Sequence, residues 1–163
     1  MIQFDKVSKV YPNKSVSLED VSFSIKKGEF VSLVGHSGAG KTTLIKLILA
    51  EESPSEGEVC FEGVCIHKLK DKDLTALRKR IGVVFQDFRL LPNKTAYENI
   101  AFAMEAAGKP DDEIASDVPH VLELVDLMDK IHNFPHQMSG GERQRLAIAR
   151  AIISQPEVII ADE

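Results

Sequence analysis

A chain of 163 residues with 44% hydrophobic content can bury one sizeable core and carries no compositional sign of disorder, so a single domain is expected. A formal net charge of −5 argues against nucleic acid as the main partner, since phosphate backbones select basic surfaces. Two cysteines, no signal-peptide pattern and no apolar run near the roughly 20 residues that span a bilayer lead to the expectation of a cytoplasmic protein, attached to a membrane only through a partner.

Residues 2–34 read as strands and turns, closing on the apolar run Phe30-Val31-Ser32-Leu33-Val34, an expected strand. The loop Gly35-His36-Ser37-Gly38-Ala39-Gly40-Lys41-Thr42 follows and runs into a helix expected over 41–50, the strand-loop-helix context of a nucleoside triphosphate site. Gly35, Gly38 and Gly40 are expected to take positive φ and let successive N–H groups approach phosphate oxygens. The helix start near Lys41 adds a partial positive charge; Lys41 reaches the β- and γ-phosphates, the Thr42 hydroxyl is a ligand for Mg²⁺, and Thr43 is a further phosphate contact. His36 belongs to the phosphate loop through its backbone, and its imidazole is read as solvent-facing.

Residues 57–66 alternate as a hairpin around Glu62-Gly63. Cys60 and Cys65 sit in it with His67 nearby, but a zinc site needs more ligands at suitable spacing, and none is expected there. A helix over 71–80 feeds the strand Ile81–Phe85, which ends at Gln86. Basic residues Lys68, Lys70, Lys72, Arg78, Lys79 and Arg80 precede it and acidic residues from Asp111 to Asp129 follow it; both read as solvated faces, the basic one with an alternative reading as a surface for anionic lipid. Residues 95–130 read as mostly helical, with Pro119 expected to begin a new helix at its first turn. His120, His132 and His136 are read as surface residues.

Met138-Ser139-Gly140-Gly141-Glu142 then precedes a periodic run through Ile153, and Ser139 with Glu142 forms a capping-box signal. A capped helix start with two glycines is also an anion site. The apolar run Val158–Ala161 reads as a strand ending in Asp162 and Glu163.

With the phosphate loop, Met138–Glu142 resembles the signature of the ABC ATPases, usually LSGGQ. That resemblance covers the whole chain. It implies an α/β fold: a P-loop core with an N-terminal antiparallel β subdomain over 1–94 and 154–163, and a helical subdomain over 95–153. By the same resemblance Tyr11 stacks on adenine, Gln86 approaches Mg²⁺ and the attacking water, Asp162 orients the metal and Glu163 is the catalytic carboxylate. Two copies are expected to close head to tail on two ATP molecules, Ser139, Gly140 and Gly141 of one completing the site built by Lys41 and Thr42 of the other.

Within the family, Val84–Leu91, Thr95–Phe102 and Glu142 resemble the FtsE-type cell-division ATPases, which imply an FtsX-like integral membrane partner and control of cell-wall hydrolases. ATPases of lipoprotein-release or macrolide-export transporters share much of this pattern and remain the alternative. About a hundred residues between Lys41 and Ser139 leave no room for the long coiled coils of ABC-type ATPases acting on DNA. Because the chain stops at Glu163, before the family's dimer-contacting loop, switch histidine and a strand inserted between the phosphate-loop strand and the Val158–Ala161 strand, turnover near background is expected, with nucleotide binding without turnover as a third reading. The missing strand would leave two strand edges unpaired, which leads to the further expectation of pairing from another chain, a rearranged Val158–Ala161 strand, or an unstable, aggregation-prone chain.

Overall fold

The computed structural model describes residues 1–162 and divides into two compact units, Met1–Ala76 and Leu77 onward. In the first unit, β1 (Ile2–Val10), β2 (Val16–Ile25), β3 (Glu56–Phe61) and β4 (Val64–Cys65) form an antiparallel sheet in the order β2-β1-β3-β4. Strict alternation along β1 would turn Lys6 inward after Ile2 and Phe4. A register irregularity between Phe4 and Val7, with Lys6 at φ 48°, instead returns Val7 to the buried face. Phe4 stacks on its cross-strand partner Phe23 with centroids 4.6 Å apart. The expected hairpin is present, its turn made by Glu62 (φ 51°) and Gly63 (φ 78°), the two positive values a type I′ turn requires. Helix α1 (Lys41–Ile48) buries Leu44, Ile45, Leu47 and Ile48, and α2 (Asp71–Arg78) follows a short 3-10 turn at Ile66–Lys68.

The expected strand Phe30–Val34 is not formed. Residues 29–36 carry no regular structure and join neither sheet, and Phe30 and Val34 are 97% and 93% exposed. An extended segment gains its hydrogen bonds and burial from flanking strands, so an apolar run without them has nothing to hold it as a strand.

In the second unit, β5 (Ile81–Val84) and β6 (Val158–Ala161) pair in parallel, Ile81 opposite Val158 and Val84 opposite Ala161. Arg80 and Glu157 clamp the entrance of this pair through two side-chain hydrogen bonds of 2.6 and 2.9 Å. Helices α3 (Ala96–Ala107), α4 (Asp111–Leu124) and α5 (Gly140–Ile152) meet in a core that includes Ile100, Met104, Val118, Leu122 and Leu146. A Cβ on Gly82 would stand 2.4 Å from the Ala151 carbonyl oxygen, so glycine sets how closely α5 lies against β5. Thr95 and Glu98 close a capping box at the start of α3, and Gly108 (φ 82°) ends it.

Pro119 does not begin a helix; α4 runs through it. Interior proline costs roughly 3 kcal/mol through the lost N–H and the clash with the preceding turn. Buried Ile114, Val118 and Leu122, spaced at i, i+4 and i+8, hold the helix together across it.

Candidate nucleotide site

The phosphate loop and Tyr11 belong to the first unit. Gly38 and Gly40 take φ of 83° and 90°, and at Gly40 a Cβ would also collide with the Ser17 carbonyl oxygen at 2.7 Å. Gly35 does not have positive φ. Its requirement is room, since a Cβ there would stand 2.9 Å from the Ala39 Cβ. His36 accepts from the Ala39 N–H at 3.1 Å to close the loop's turn, and its ring Nδ1 lies 2.8 Å from the Ser37 carbonyl. Lys41 folds over this loop, its ammonium donating to the carbonyls of Gly35 (2.7 Å) and His36 (3.0 Å). The ammonium is thus held over an exposed, N–H-rich loop at a helix start, where an anion would replace neutral carbonyl partners.

Thr42 is exposed, whereas Thr43 is buried, with its hydroxyl 2.8 Å from Ser17 Oγ and 3.3 Å from the Tyr11 hydroxyl. Thr43 therefore links Tyr11 and Ser17 to the first turn of α1. Ser17 is a tie that no sequence signal marked. Lys9 stands 5.1 Å from the Tyr11 ring centroid and is itself fixed by Glu52 and the Ser53 carbonyl, both at 2.8 Å.

Gln86, Asp162 and the signature segment belong to the second unit. Because β5 and β6 are adjacent and parallel in register, Gln86 and Asp162 both leave their C-terminal ends, and the Asp162 N–H donates to the Val84 carbonyl at 2.9 Å. The carboxyl edge of parallel strands is where open α/β sheets place ligands. Glu163 lies outside the described residues. Thr42 in the first unit, and Gln86 and Asp162 in the second, each offer a hard oxygen, the donor type that suits Mg²⁺.

Ser139 caps α5, accepting from the Glu142 N–H at 3.3 Å while the Glu142 carboxylate accepts from the Ser139 N–H at 2.7 Å. These contacts, the backbone one first, hold the Glu142 carboxyl below its ordinary range. Among the described residues nothing lies within 4 Å of a Cβ built on Gly140, and only the Arg145 guanidinium, at 3.9 Å, on Gly141. Glycine weakens a helix by about 1 kcal/mol relative to alanine, and the described residues supply no steric reason for either glycine.

Two positioning residues escaped sequence reasoning. Residues Phe88 and Arg89 follow Gln86 at φ 60° and 44°, a conformation disfavoured for side chains of their size, and Arg150 holds it by donating to both their carbonyls at 2.8 Å. Asn99, fully buried, donates to the carbonyls of Leu91, Lys94 and Thr95 and accepts from the Leu91 N–H at 2.8 Å. Neither contact has a periodic signature in the sequence.

Residues 18–163 match the ABC transporter family. Over its full length the chain is 48% identical to the cell division ATP-binding protein FtsE of Bacillus subtilis and 47% identical to that of Escherichia coli K12, covering 72% and 73% of those proteins. It also superposes with a TM-score of 0.91 and 36% identity on the ATP-binding cassette MJ0796, solved as a dimer in a post-hydrolysis state with ADP and Pi, covering all of this chain and 74% of that one.

Proposed function

The chain belongs to the ABC transporter family as an FtsE-like, ATP-hydrolysing P-loop protein, and on that premise we propose that it works as a homodimer that closes on MgATP and signals to an FtsX-like membrane protein controlling cell-wall hydrolases. The carrying observation is the pair Gly140 and Gly141, exposed at a capped helix start and open where a side chain would stand. Glycines that the fold does not need suit a surface approached by something outside it, here the γ-phosphate held by a second copy.

In this reading the loop N–H groups of Gly35 to Gly40 and the Lys41 ammonium bind the triphosphate, and Tyr11 stacks on adenine. Ser139, Gly140 and Gly141 of the facing copy close over the γ-phosphate. Thr42, Gln86 and Asp162 would hold Mg²⁺, which would neutralise negative charge on the triphosphate. Glu163 orients and polarises the attacking water, so the rate comes from positioning and electrostatics.

Gly140→Ala separates this reading from a purely structural role. Inside the chain the new methyl meets open space and favours the helix, so thermal stability is unchanged or slightly higher. ATP-dependent dimerisation, followed by sedimentation, falls at least tenfold. Unchanged dimerisation would remove Gly140 from the composite site.

By family analogy the segment after Gln86 receives the membrane partner, and its packing refines how that is tested. Phe88 and Leu90 pack against Val84, Ala147 and Ala151, so a charge at Phe88 disturbs the core of the second unit. Leu91 is half-buried, with its backbone already fixed by Asn99. Leu91→Glu is therefore the sharper test: capture of an FtsX-like protein is lost while MgATP affinity stays within about twofold, as expected when a partner contact is cut without misfolding. Equal loss of both would assign Leu91 to the fold alone.

A further inference from the structure

The β3–β4 hairpin carries a cluster that nucleotide chemistry does not use. Alternation along β3 sends Val59 and Phe61 into the core and Glu58 and Cys60 to the opposite face, and the type I′ turn brings Cys65 directly opposite Cys60. The two sulfurs stand 2.7 Å apart, the Cys65 thiol donates to Glu58 Oε2 at 3.2 Å, and the ligand atoms of all three side chains lie within 4.8 Å of one another. Lys68 pairs with the other carboxylate oxygen, Oε1, leaving Oε2 directed at the sulfurs. His67 follows β4, and its Nδ1 is the one buried side-chain nitrogen or oxygen without a hydrogen-bond partner among the described residues.

We propose that Glu58, Cys60 and Cys65 bind a thiophilic divalent cation of the zinc class, with water as the fourth ligand. Sequence spacing alone counted too few ligands; folding adds Glu58, two residues before Cys60 on the same strand face. Tetrahedral coordination, with metal–sulfur bonds of about 2.3 Å and metal–oxygen bonds of about 2.0 Å, puts sulfurs about 3.8 Å apart and a sulfur about 3.5 Å from the oxygen. The present spacing reaches this by small rotations of three half-exposed side chains, and Lys68 can keep Oε1 while Oε2 binds, orienting the carboxylate as an outer partner. Each coordinated thiol releases its proton to solvent on binding.

A pair built only to form a disulfide has no use for a carboxylate against one sulfur. That carboxylate, 3.2 Å from the Cys65 sulfur, sets a negative charge against the thiolate that would have to attack. A divalent cation, with the sulfurs rotated to coordination distance, neutralises two thiolates and a carboxylate that would otherwise repel one another.

The test is a Co²⁺ titration of the phosphine-reduced chain in excess Mg²⁺, read by sulfur-to-cobalt charge-transfer absorption, which a Mg²⁺ site made of oxygen ligands cannot produce. The expected result is one Co²⁺ per chain, displaced by Zn²⁺, with affinity at least tenfold weaker in Cys60→Ser and Cys65→Ser and no band when both are replaced. Glu58→Gln keeps the band but weakens binding at least tenfold. That residue is half-exposed and outside the core, so it decides the matter even if a serine variant fails to fold. No charge-transfer band in the reduced wild-type chain, or affinity unchanged by Glu58→Gln, would overturn the site. Ready closure of a Cys60–Cys65 disulfide in air combined with no band after reduction would overturn it in favour of a redox pair.

Discussion

Lys41→Ala lowers MgATP affinity roughly 10- to 100-fold in calorimetry while leaving thermal stability almost unchanged. The expected size follows from the charge: a hydrogen bond to an ionised partner contributes about 1.5–3 kcal/mol, and 1.4 kcal/mol is a factor of ten in affinity. Among the described residues the ammonium bonds to the carbonyls of Gly35 and His36 at the surface, so its removal there exchanges two solvent-accessible contacts for water. With triphosphate bound, the same truncation removes the main side-chain cation facing several negative oxygens. Unchanged affinity would contradict the phosphate-loop reading at its centre. A large loss of stability would instead mean that the lysine holds the loop together.

Asn99→Leu destabilises the fold by about 3 kcal/mol, because a side chain of similar size removes every hydrogen bond that the Asn99 side chain makes to residues 91–95. The Leu91 N–H and the Lys94 carbonyl lose their Asn99 partners, whereas the Thr95 carbonyl retains the Asn99 backbone N–H at 2.9 Å. For a chain of this length such a loss lowers the melting temperature by roughly 6–12 °C. Thermal unfolding followed by circular dichroism measures it, and hydrogen exchange at Leu91 reports the same contact locally. A shift within 1 °C would show that water replaces the asparagine and that the segment after Gln86 is held elsewhere, by Arg150 above all.

Much of the architecture was legible because local chemistry and tertiary packing agree. The helix after the phosphate loop, the Glu62-Gly63 turn, the Ser139–Glu142 cap and the β5 and β6 strands all stand where periodicity and turn chemistry put them. The exceptions share one cause. Pro119 reads locally as a helix start, yet the buried stripe of Ile114, Val118 and Leu122 carries α4 across it. Phe30–Val34 reads locally as a strand, yet a strand is a property of its neighbours as much as of its residues.

By itself the sequence determined the chemistry of the phosphate loop, the signature segment and the family resemblance that the comparisons bear out, because glycine, lysine and capping residues act over a few positions of contiguous chain. Only the tertiary structure decided that Thr43 ties Tyr11 and Ser17 to α1, that Gln86 and Asp162 leave adjacent strand ends, and that Asn99 and Arg150 fix the segment between. It also decided that Glu58 stands with Cys60 and Cys65. Each of these depends on side chains brought together by strand register or helix packing across stretches of sequence that carry no periodic trace of the contact.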